Sequence, residues 1–157
     1  MNRREFVKVA VVTAAATGIS APALAQISSR KYSPLRIAKA SELAAGVAVS
    51  FNYPDPQSPA LLVKLGKPAL GGVGPSGDIV AFSSLCTHMG CPVQFQQDHF
   101  LCPCHYSKFD PAVNGQAFQG LATQYLPQIQ LRFDPKTQEL FAEGIDGLVW
   151  GRVENVA

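Results

Sequence analysis

The chain has 157 residues, of which 15% are charged and 47% hydrophobic, and its formal net charge is +2 at pH 7. This length is sufficient for one domain with a real hydrophobic core and leaves little room for a second domain. The small net charge and the lack of a basic stripe exclude nucleic acid as an expected partner.

The first 25 residues predict an export signal. Arg3 and Arg4 precede an apolar run from Val9 to Ile19, and Ala23-Leu24-Ala25 has the A-x-A pattern of a cleavage site. The segment resembles a twin-arginine signal, which implies export of the folded protein to the periplasm. The apolar run is about eleven residues long and a membrane helix needs about twenty, so we expect cleavage rather than a stable membrane span. A retained anchor is the alternative.

Short β-rich segments separated by turn residues follow an extended arm at residues 26–34. The pattern predicts strands at Leu35–Ile37, Val47–Asn52, Ala60–Leu65, Asp78–Phe82, Val93–Phe95, His99–Leu101, Ile129–Phe133, Glu139–Ala142 and Leu148–Val153. Helical spacing occurs only near Ala38–Leu43, where Ser41 is a possible cap. Many short strands predict an all-β sandwich or partly open barrel over residues 35–157.

All four cysteines and two of the three histidines fall in two short stretches. These are Cys-Thr-His-Met-Gly-Cys-Pro at 86–92 and Cys-Pro-Cys-His-Tyr-Ser at 102–107. A hairpin turning near Gln97-Asp98 separates them, so both loops are expected at one tip of the sheet. The remaining histidine, His99, is interpreted as a solvated turn residue.

Three kinds of site are compatible with these loops. Four of the six side chains could form a tetrahedral zinc site, although zinc ligands more often come as C-x-x-C or H-x₃₋₅-H pairs. Two disulfides would suit an exported chain but leave the matched histidines unexplained. An iron–sulfur cluster that takes one cysteine and one histidine from each loop gives both loops the same role, and we favour it.

The two stretches resemble the Rieske signature, C-x-H-x-G-C followed by C-x-C-H-x-S. This resemblance implies a Rieske-type antiparallel β-sandwich or open barrel with a cluster-binding subdomain at one tip. It implies one [2Fe–2S] cluster ligated by Cys86, His88, Cys102 and His105, with Cys91 and Cys104 paired in a disulfide. Clusters of this type have reduction potentials of about −150 to +300 mV, above the about −400 mV of plant-type ferredoxins.

The resemblance also implies roles for three residues beside the cluster. Ser107 stands where a serine donates a hydrogen bond to a bridging sulfide. Phe109 stands where many high-potential members carry a tyrosine. Gly120 belongs to a third loop, resembling the one that covers the cluster. Because one of the two hydroxyl donors is kept and the other is lost, we expect a mid-range potential.

Further resemblance narrows the class of Rieske protein. The export signal and the second cysteine pair disfavour ferredoxins of ring-hydroxylating oxygenases. Residues 86–92, 109–111, 122–129 and 147–152 resemble the small subunit of periplasmic arsenite oxidase. This implies an electron-transfer subunit without a substrate-converting site, a large molybdopterin-containing partner, and a periplasmic cytochrome c or azurin-like copper protein as acceptor. A Rieske subunit of a cytochrome bc-type quinol oxidase complex is the alternative.

Overall fold

The computed structural model describes residues 32–152 of the protein. The predicted export signal, residues 26–31 of the predicted arm and Val153 of the last predicted strand lie outside the described residues. No helix between Tyr32 and Arg152 has the length and apolar character needed to cross a membrane.

Residues 32–152 form ten strands arranged in two sheets. The larger sheet has six strands in the order β1-β10-β9-β4-β3-β2, and each neighbouring pair is antiparallel. The smaller sheet has four antiparallel strands in the order β5-β6-β7-β8. The strands are β1 Leu35–Lys39, β2 Ala48–Asn52, β3 Pro59–Lys64, β4 Ile79–Ser83, β5 Gln94–Gln96, β6 His99–Leu101, β7 Lys108–Asp110, β8 Gln116–Gln119, β9 Gln128–Asp134 and β10 Glu139–Asp146.

The smaller sheet is an insertion between β4 and β9, which are neighbours in the larger sheet. Phe82 pairs with Gln128 across these two strands. Just beyond that pair, the backbone N–H of Ser83 donates to the carbonyl of Pro127 over 2.9 Å. The chain therefore leaves and re-enters the larger sheet at adjacent positions.

Strand β4 is buried on both faces and lies between the two hydrophobic clusters of the domain. Its sequence alternates between them, as the period of two in a strand requires. Ile79 and Ala81 pack into one cluster with the larger sheet. Val80 and Phe82 pack into the other cluster, which also contains Cys86 and Cys102. The same strand thus supports both the base of the domain and its cysteine loops.

The all-β prediction is confirmed. Eight of the nine predicted strands correspond to β1–β6, β9 and β10, with ends that differ by at most four residues. The predicted hairpin is also present: Gln96 pairs with His99 and Gln97 has a φ of 56° in the turn. Strands β7 and β8 were not predicted from the sequence.

Two local predictions are wrong. The segment from Leu148 onward is not a strand up to Arg152, because the chain bends at Gly147 and Gly151, where φ is 101° and 74°. The second wrong prediction is the cap at Ser41, although the stretch near Ala38–Leu43 does contain a short 3₁₀ helix, Ala40–Glu42. Ser41 lies inside this helix and cannot cap it; the N-terminal flanking residue is Lys39, which forms no side-chain cap.

Candidate metal centre

Loop 1 (residues 84–93) and loop 2 (residues 102–107) share one backbone scheme. In loop 1 the N–H of Cys86 donates to the carbonyl of Cys91 over 2.9 Å, and the N–H of Gly90 returns to the carbonyl of Cys86 over 2.8 Å. Loop 2 repeats both bonds with the same spacing. The N–H of Cys102 donates to the carbonyl of Ser107 over 2.8 Å, and the N–H of Tyr106 donates to the carbonyl of Cys102 over 3.0 Å. Two short sequences with different cysteine–histidine spacing, Cys86-x-His88 and Cys102-x-x-His105, therefore fold into turns with the same hydrogen-bond pattern.

The fifth position of each turn is left-handed. Gly90 has a φ of 74° and Tyr106 has a φ of 57°. Glycine adopts this conformation freely, whereas a residue with a Cβ adopts it at a cost of about 1–2 kcal/mol. Tyr106 bears this strain within loop 2, and its side chain is 67% exposed.

The two loops meet, and a disulfide joins them. Cys91 and Cys104 are bonded, with an S–S distance of 2.08 Å and a Cα–Cα distance of 6.5 Å. The pairing is the one that the Rieske resemblance implies. The Cys102 sulfur lies within 4.8 Å of both bonded sulfurs. Because those two sulfurs are bonded to each other, the three cysteines do not form a metal site.

The other two cysteines are free thiols, and each is 1% exposed. The rings of His88 and His105 lie beside this pair in sequence, and their centroids are 4.8 Å apart at an interplanar angle of 83°. The Nδ1 atom of His88 is buried and has no hydrogen-bond partner among the described residues. The loops thus bring the two predicted sulfur donors into contact with each other, and likewise the two predicted histidine rings.

The chemistry of these groups fits a metal centre better than a plain polar cluster. Burial raises the pKa of the Cys86 thiol, and the adjacent Cys102 raises it further, against a lowering by the backbone N–H of His88. Bound metal reverses this effect because a coordinating thiol is deprotonated. A buried imidazole nitrogen without a partner also costs free energy, which a metal bond removes. Two thiolates and two imidazoles suit a soft or borderline metal such as iron.

Loop 3 (residues 120–127) packs directly against loop 2 at Gly120. A Cβ at this position would lie 2.6 Å from the nitrogen and 2.8 Å from Oγ of Ser107, so only glycine fits. The Ser107 Oγ accepts hydrogen bonds from the N–H groups of Leu121 and Ala122 over 3.1 and 3.0 Å. Neither bond uses the hydroxyl hydrogen, which is left to donate to a further acceptor. Gly120 therefore has a more specific role than an ordinary turn residue.

Phe109 is fully buried in the same hydrophobic cluster as the two free cysteines, and it pairs in register with Phe100 across β6 and β7. Its ring fills the core beneath the loops and offers no hydrogen-bond donor.

The interpretation of His99 as a solvated turn residue is wrong. His99 begins β6, its side chain is 18% exposed, and its Nδ1 lies 3.0 Å from the carboxylate of Asp98.

A cavity of about 400 Å³ beside loop 1 was not predicted from the sequence. The Oγ1 of Thr87 donates to the carbonyl of Gln124 over 2.9 Å and so joins loop 1 to loop 3 at one side of this cavity. Trp150 from the C-terminal segment lies against Gly90. The lining residues are Thr87, Gln124, Tyr125, Asp146, Gly147, Leu148 and Trp150.

An all-β domain that presents paired cysteine–histidine loops at one tip defines an iron–sulfur protein of the electron-transfer class. Residues 33–130 match the family model described as Rieske [2Fe-2S] domain, which covers more than half of the chain. The chain belongs to this family, and its cofactor is one [2Fe–2S] cluster.

Two relatives match along almost the whole chain. Both are iodate reductase subunits IdrB and both are 39% identical to this chain. All of this chain aligns with 88% of the subunit from Denitromonas iodatirespirans. In the subunit from Pseudomonas sp. (strain SCT), 82% of the length aligns with 96% of this chain. The chain is therefore related over its full length to a subunit of an oxidoreductase.

Other matches are shorter or more distant. The cytochrome bc1 complex Rieske iron-sulfur subunit of Streptomyces lividans is 46% identical over 56 residues, which are 34% of this chain and 33% of that subunit. The soluble domain of Rieske protein II from Sulfolobus acidocaldarius has a TM-score of 0.69 at 23% identity, covering 78% of this chain and 82% of that one. This structural match shows the shared fold.

Proposed function

We propose that this chain is the electron-transfer subunit of a periplasmic arsenite oxidase. The observation that carries the subunit role is the uncharged, apolar surface of the tip. Loops 1, 2 and 3 contain no Lys, Arg, Asp or Glu. Each loop also exposes at least one large hydrophobic side chain: Met89 at 62%, Tyr106 at 67%, and Leu121 at 58% together with Tyr125 at 51%. An exposed apolar surface of this kind is typical of a protein–protein contact.

Within the site, the proposed cluster ligands are Cys86 and Cys102 through sulfur and His88 and His105 through nitrogen. Their burial divides the site into two sides. Both cysteines are almost completely buried against the core, whereas His88 is half-buried and His105 is exposed. When bound, the cluster supplies reversible one-electron chemistry. The chain closes the cysteine side against water and leaves the histidine side open toward a redox partner.

The proposed partner is a large molybdopterin-containing subunit, with a periplasmic cytochrome c or azurin-like copper protein as acceptor. The resemblance of residues 86–92, 122–129 and 147–152 to the arsenite oxidase small subunit supports this assignment. A second candidate is a subunit of an iodate reductase, supported by the 39% identity to IdrB over the whole chain. The cytochrome bc alternative has less support, since matches to bc1 Rieske subunits such as those of Corynebacterium efficiens and Streptomyces lividans cover 43% and 34% of this chain.

Purification of the native assembly followed by EPR tests this proposal and separates the candidates. With arsenite oxidase, arsenite added anaerobically to the oxidised assembly should produce the EPR signal of the reduced cluster. With iodate reductase, arsenite should leave the spectrum unchanged, and iodate should remove the signal from a pre-reduced assembly. The isolated cluster-loaded chain is the control and should not be reduced by arsenite.

Purification with cytochromes b and c, together with cluster reduction by a quinol, would contradict the proposal and favour the bc-type role. Purification of the chain with no large partner would contradict any subunit role.

We further propose export by the twin-arginine route, on the sequence pattern of residues 1–25. Replacing Arg3 and Arg4 together by lysine should keep the precursor in the cytoplasm, as measured by cell fractionation and immunoblotting. Arg30→Lys is the matched control and should be exported normally. Equal periplasmic amounts of the double variant and the wild type would contradict this route. N-terminal sequencing of the exported protein should give Gln26 if the signal is cleaved.

A further inference from the structure

Residues 147–152, here named the C-terminal strap, follow β10 and end at Arg152, which contacts Asp55 in the connection between β2 and β3. Left-handed glycines bend the strap at Gly147 and Gly151. Between them, Val149 is 3% exposed and Trp150 is 42% exposed. The strap therefore has one residue inserted into the domain and an adjacent aromatic ring that is partly open to solvent.

A charged contact fixes the far end of the strap. Nε and Nη2 of Arg152 lie 3.0 and 2.9 Å from Oδ2 of Asp55. The other carboxylate oxygen of Asp55 accepts from the Ser58 hydroxyl over 2.8 Å and from the Gln57 N–H over 3.0 Å. Because the carboxylate is held on both oxygens, it gives Arg152 a fixed anchor rather than a mobile surface partner.

Trp150 packs against the turn of loop 1. A Cβ at Gly90 would overlap Cδ1 and Nε1 of the indole, so the edge of the pyrrole ring lies against the Gly90 backbone. Gly90 closes the loop 1 turn through its hydrogen bond to Cys86, and it follows His88 by two residues. A displacement of Gly90 would therefore disturb Cys86, its hydrogen-bond partner, and the nearby His88, both of which are proposed cluster ligands.

Loop 1 is also tied to the rest of the domain at Ser84, whose N–H donates to the carbonyl of Pro59 over 2.9 Å, and by two contacts closer to the proposed ligands, none of which is made by Gly90. The Thr87 hydroxyl joins the loop to Gln124, and the disulfide joins Cys91 to loop 2. The cavity beside Thr87 is lined on its C-terminal side by the strap. Removal of the indole would open Gly90 to this space and admit water.

We propose that Trp150 is a positioning residue for the metal centre: it holds the Gly90 turn, and through this turn His88, in the arrangement that binds the cluster. The proposal rests on the assignment of His88 as a ligand. It gives the C-terminal strap a role that is separate from partner binding.

The test compares cluster-loaded Trp150→Ala and Trp150→Phe with the wild type. Trp150→Ala should lose its cluster to a chelator about tenfold faster, the lower end of the effect of removing a residue that orients metal ligands. Its reduced-state EPR lines should broaden or shift, since His88 is less well fixed. Trp150→Phe should restore most of the wild-type behaviour because a phenyl ring can still pack on Gly90.

Leu148→Ala is the matched control, since Leu148 lies on the same strap, lines the same cavity and is 67% exposed. It should match the wild type in chelator resistance and EPR. Should Trp150→Ala fail to fold, Asp55→Asn tests the same idea by weakening the anchor of the strap, and it should show a smaller change in the same direction.

Cluster loss and EPR in Trp150→Ala that equal those of Leu148→Ala would overturn the proposal. A wild-type EPR spectrum without mixed sulfur and nitrogen ligation would instead overturn the ligand assignment, so the two failures are distinguishable.

Discussion

Cys102→Ser is expected to abolish the EPR signal of the reduced mixed-ligand [2Fe–2S] centre. Cys102 is 1% exposed and is not part of the disulfide, so its thiol can act as an iron ligand. A serine oxygen is a harder donor that binds such iron less well, and the nearby sulfurs of Cys91 and Cys104 are bonded to each other rather than available as thiolates. Cys86→Ser, His88→Ala and His105→Ala should have the same effect.

Cys91→Ser is the matched control for this prediction, because Cys91 lies in loop 1 but is bonded to Cys104. This variant should still bind a cluster. Circular dichroism should show that all variants keep their β structure, so that loss of the signal reports loss of a ligand. A Cys102→Ser protein with a normal cluster would show that the ligand assignment is wrong.

Cys91→Ser is expected to lower the free energy of unfolding by about 3 kcal/mol, the loop-entropy estimate for a short closed loop. The two cysteines are 13 residues apart in sequence, and the chain between them includes β5 and β6. Without the disulfide, the unfolded chain gains conformational entropy, whereas the native hairpin stays ordered. The unfolded state is therefore favoured relative to the native state. Loops 1 and 2 also lose the disulfide cross-link between them.

Denaturant unfolding of both proteins at matched cluster occupancy measures this difference. Reduction of the wild type with a thiol reagent should bring its midpoint close to that of Cys91→Ser, whereas the variant should not respond. Equal midpoints for the oxidised wild type and Cys91→Ser would contradict the prediction. So would mass measurement that finds Cys91 and Cys104 as free thiols in the exported protein.

The sequence was sufficient for the cysteine loops and most of the sheet, and the reason is the locality of the signal. The loop chemistry depends on residue types at fixed spacing within six or seven residues, as in Cys86 to Pro92. Long strands such as β9 show alternation that can be seen without a partner strand. Both kinds of pattern are complete within a short window.

Strands β7 and β8 were missed because they are short and are separated by a 3₁₀ helix, whereas the equally short β5 and β6 are joined by a two-residue turn that marks a hairpin. A signal for them was present in Asn114-Gly115, a pair that favours tight turns between strands. Both residues are left-handed, with φ of 54° and 72°. Gly115 also accepts a hydrogen bond from Leu126 and so holds the start of β8 against loop 3.

The C-terminal strap was predicted as a strand because Leu148, Val149 and Trp150 are typical strand residues. Its actual course depends on contacts with Gly90 and Asp55, which are distant in sequence. Nothing in the local pattern distinguishes a tryptophan that pairs in a sheet from one that packs on a remote glycine. Only the folded chain supplies that information.

The insertion of the smaller sheet between β4 and β9 has an evolutionary consequence. Its two ends are held one strand spacing apart, about 4.8 Å, by the pairing of the larger sheet. Any replacement module with ends at that spacing leaves the pairing of the other strands unchanged. Natural selection can therefore exchange or remodel the redox tip for a new partner while keeping the same base.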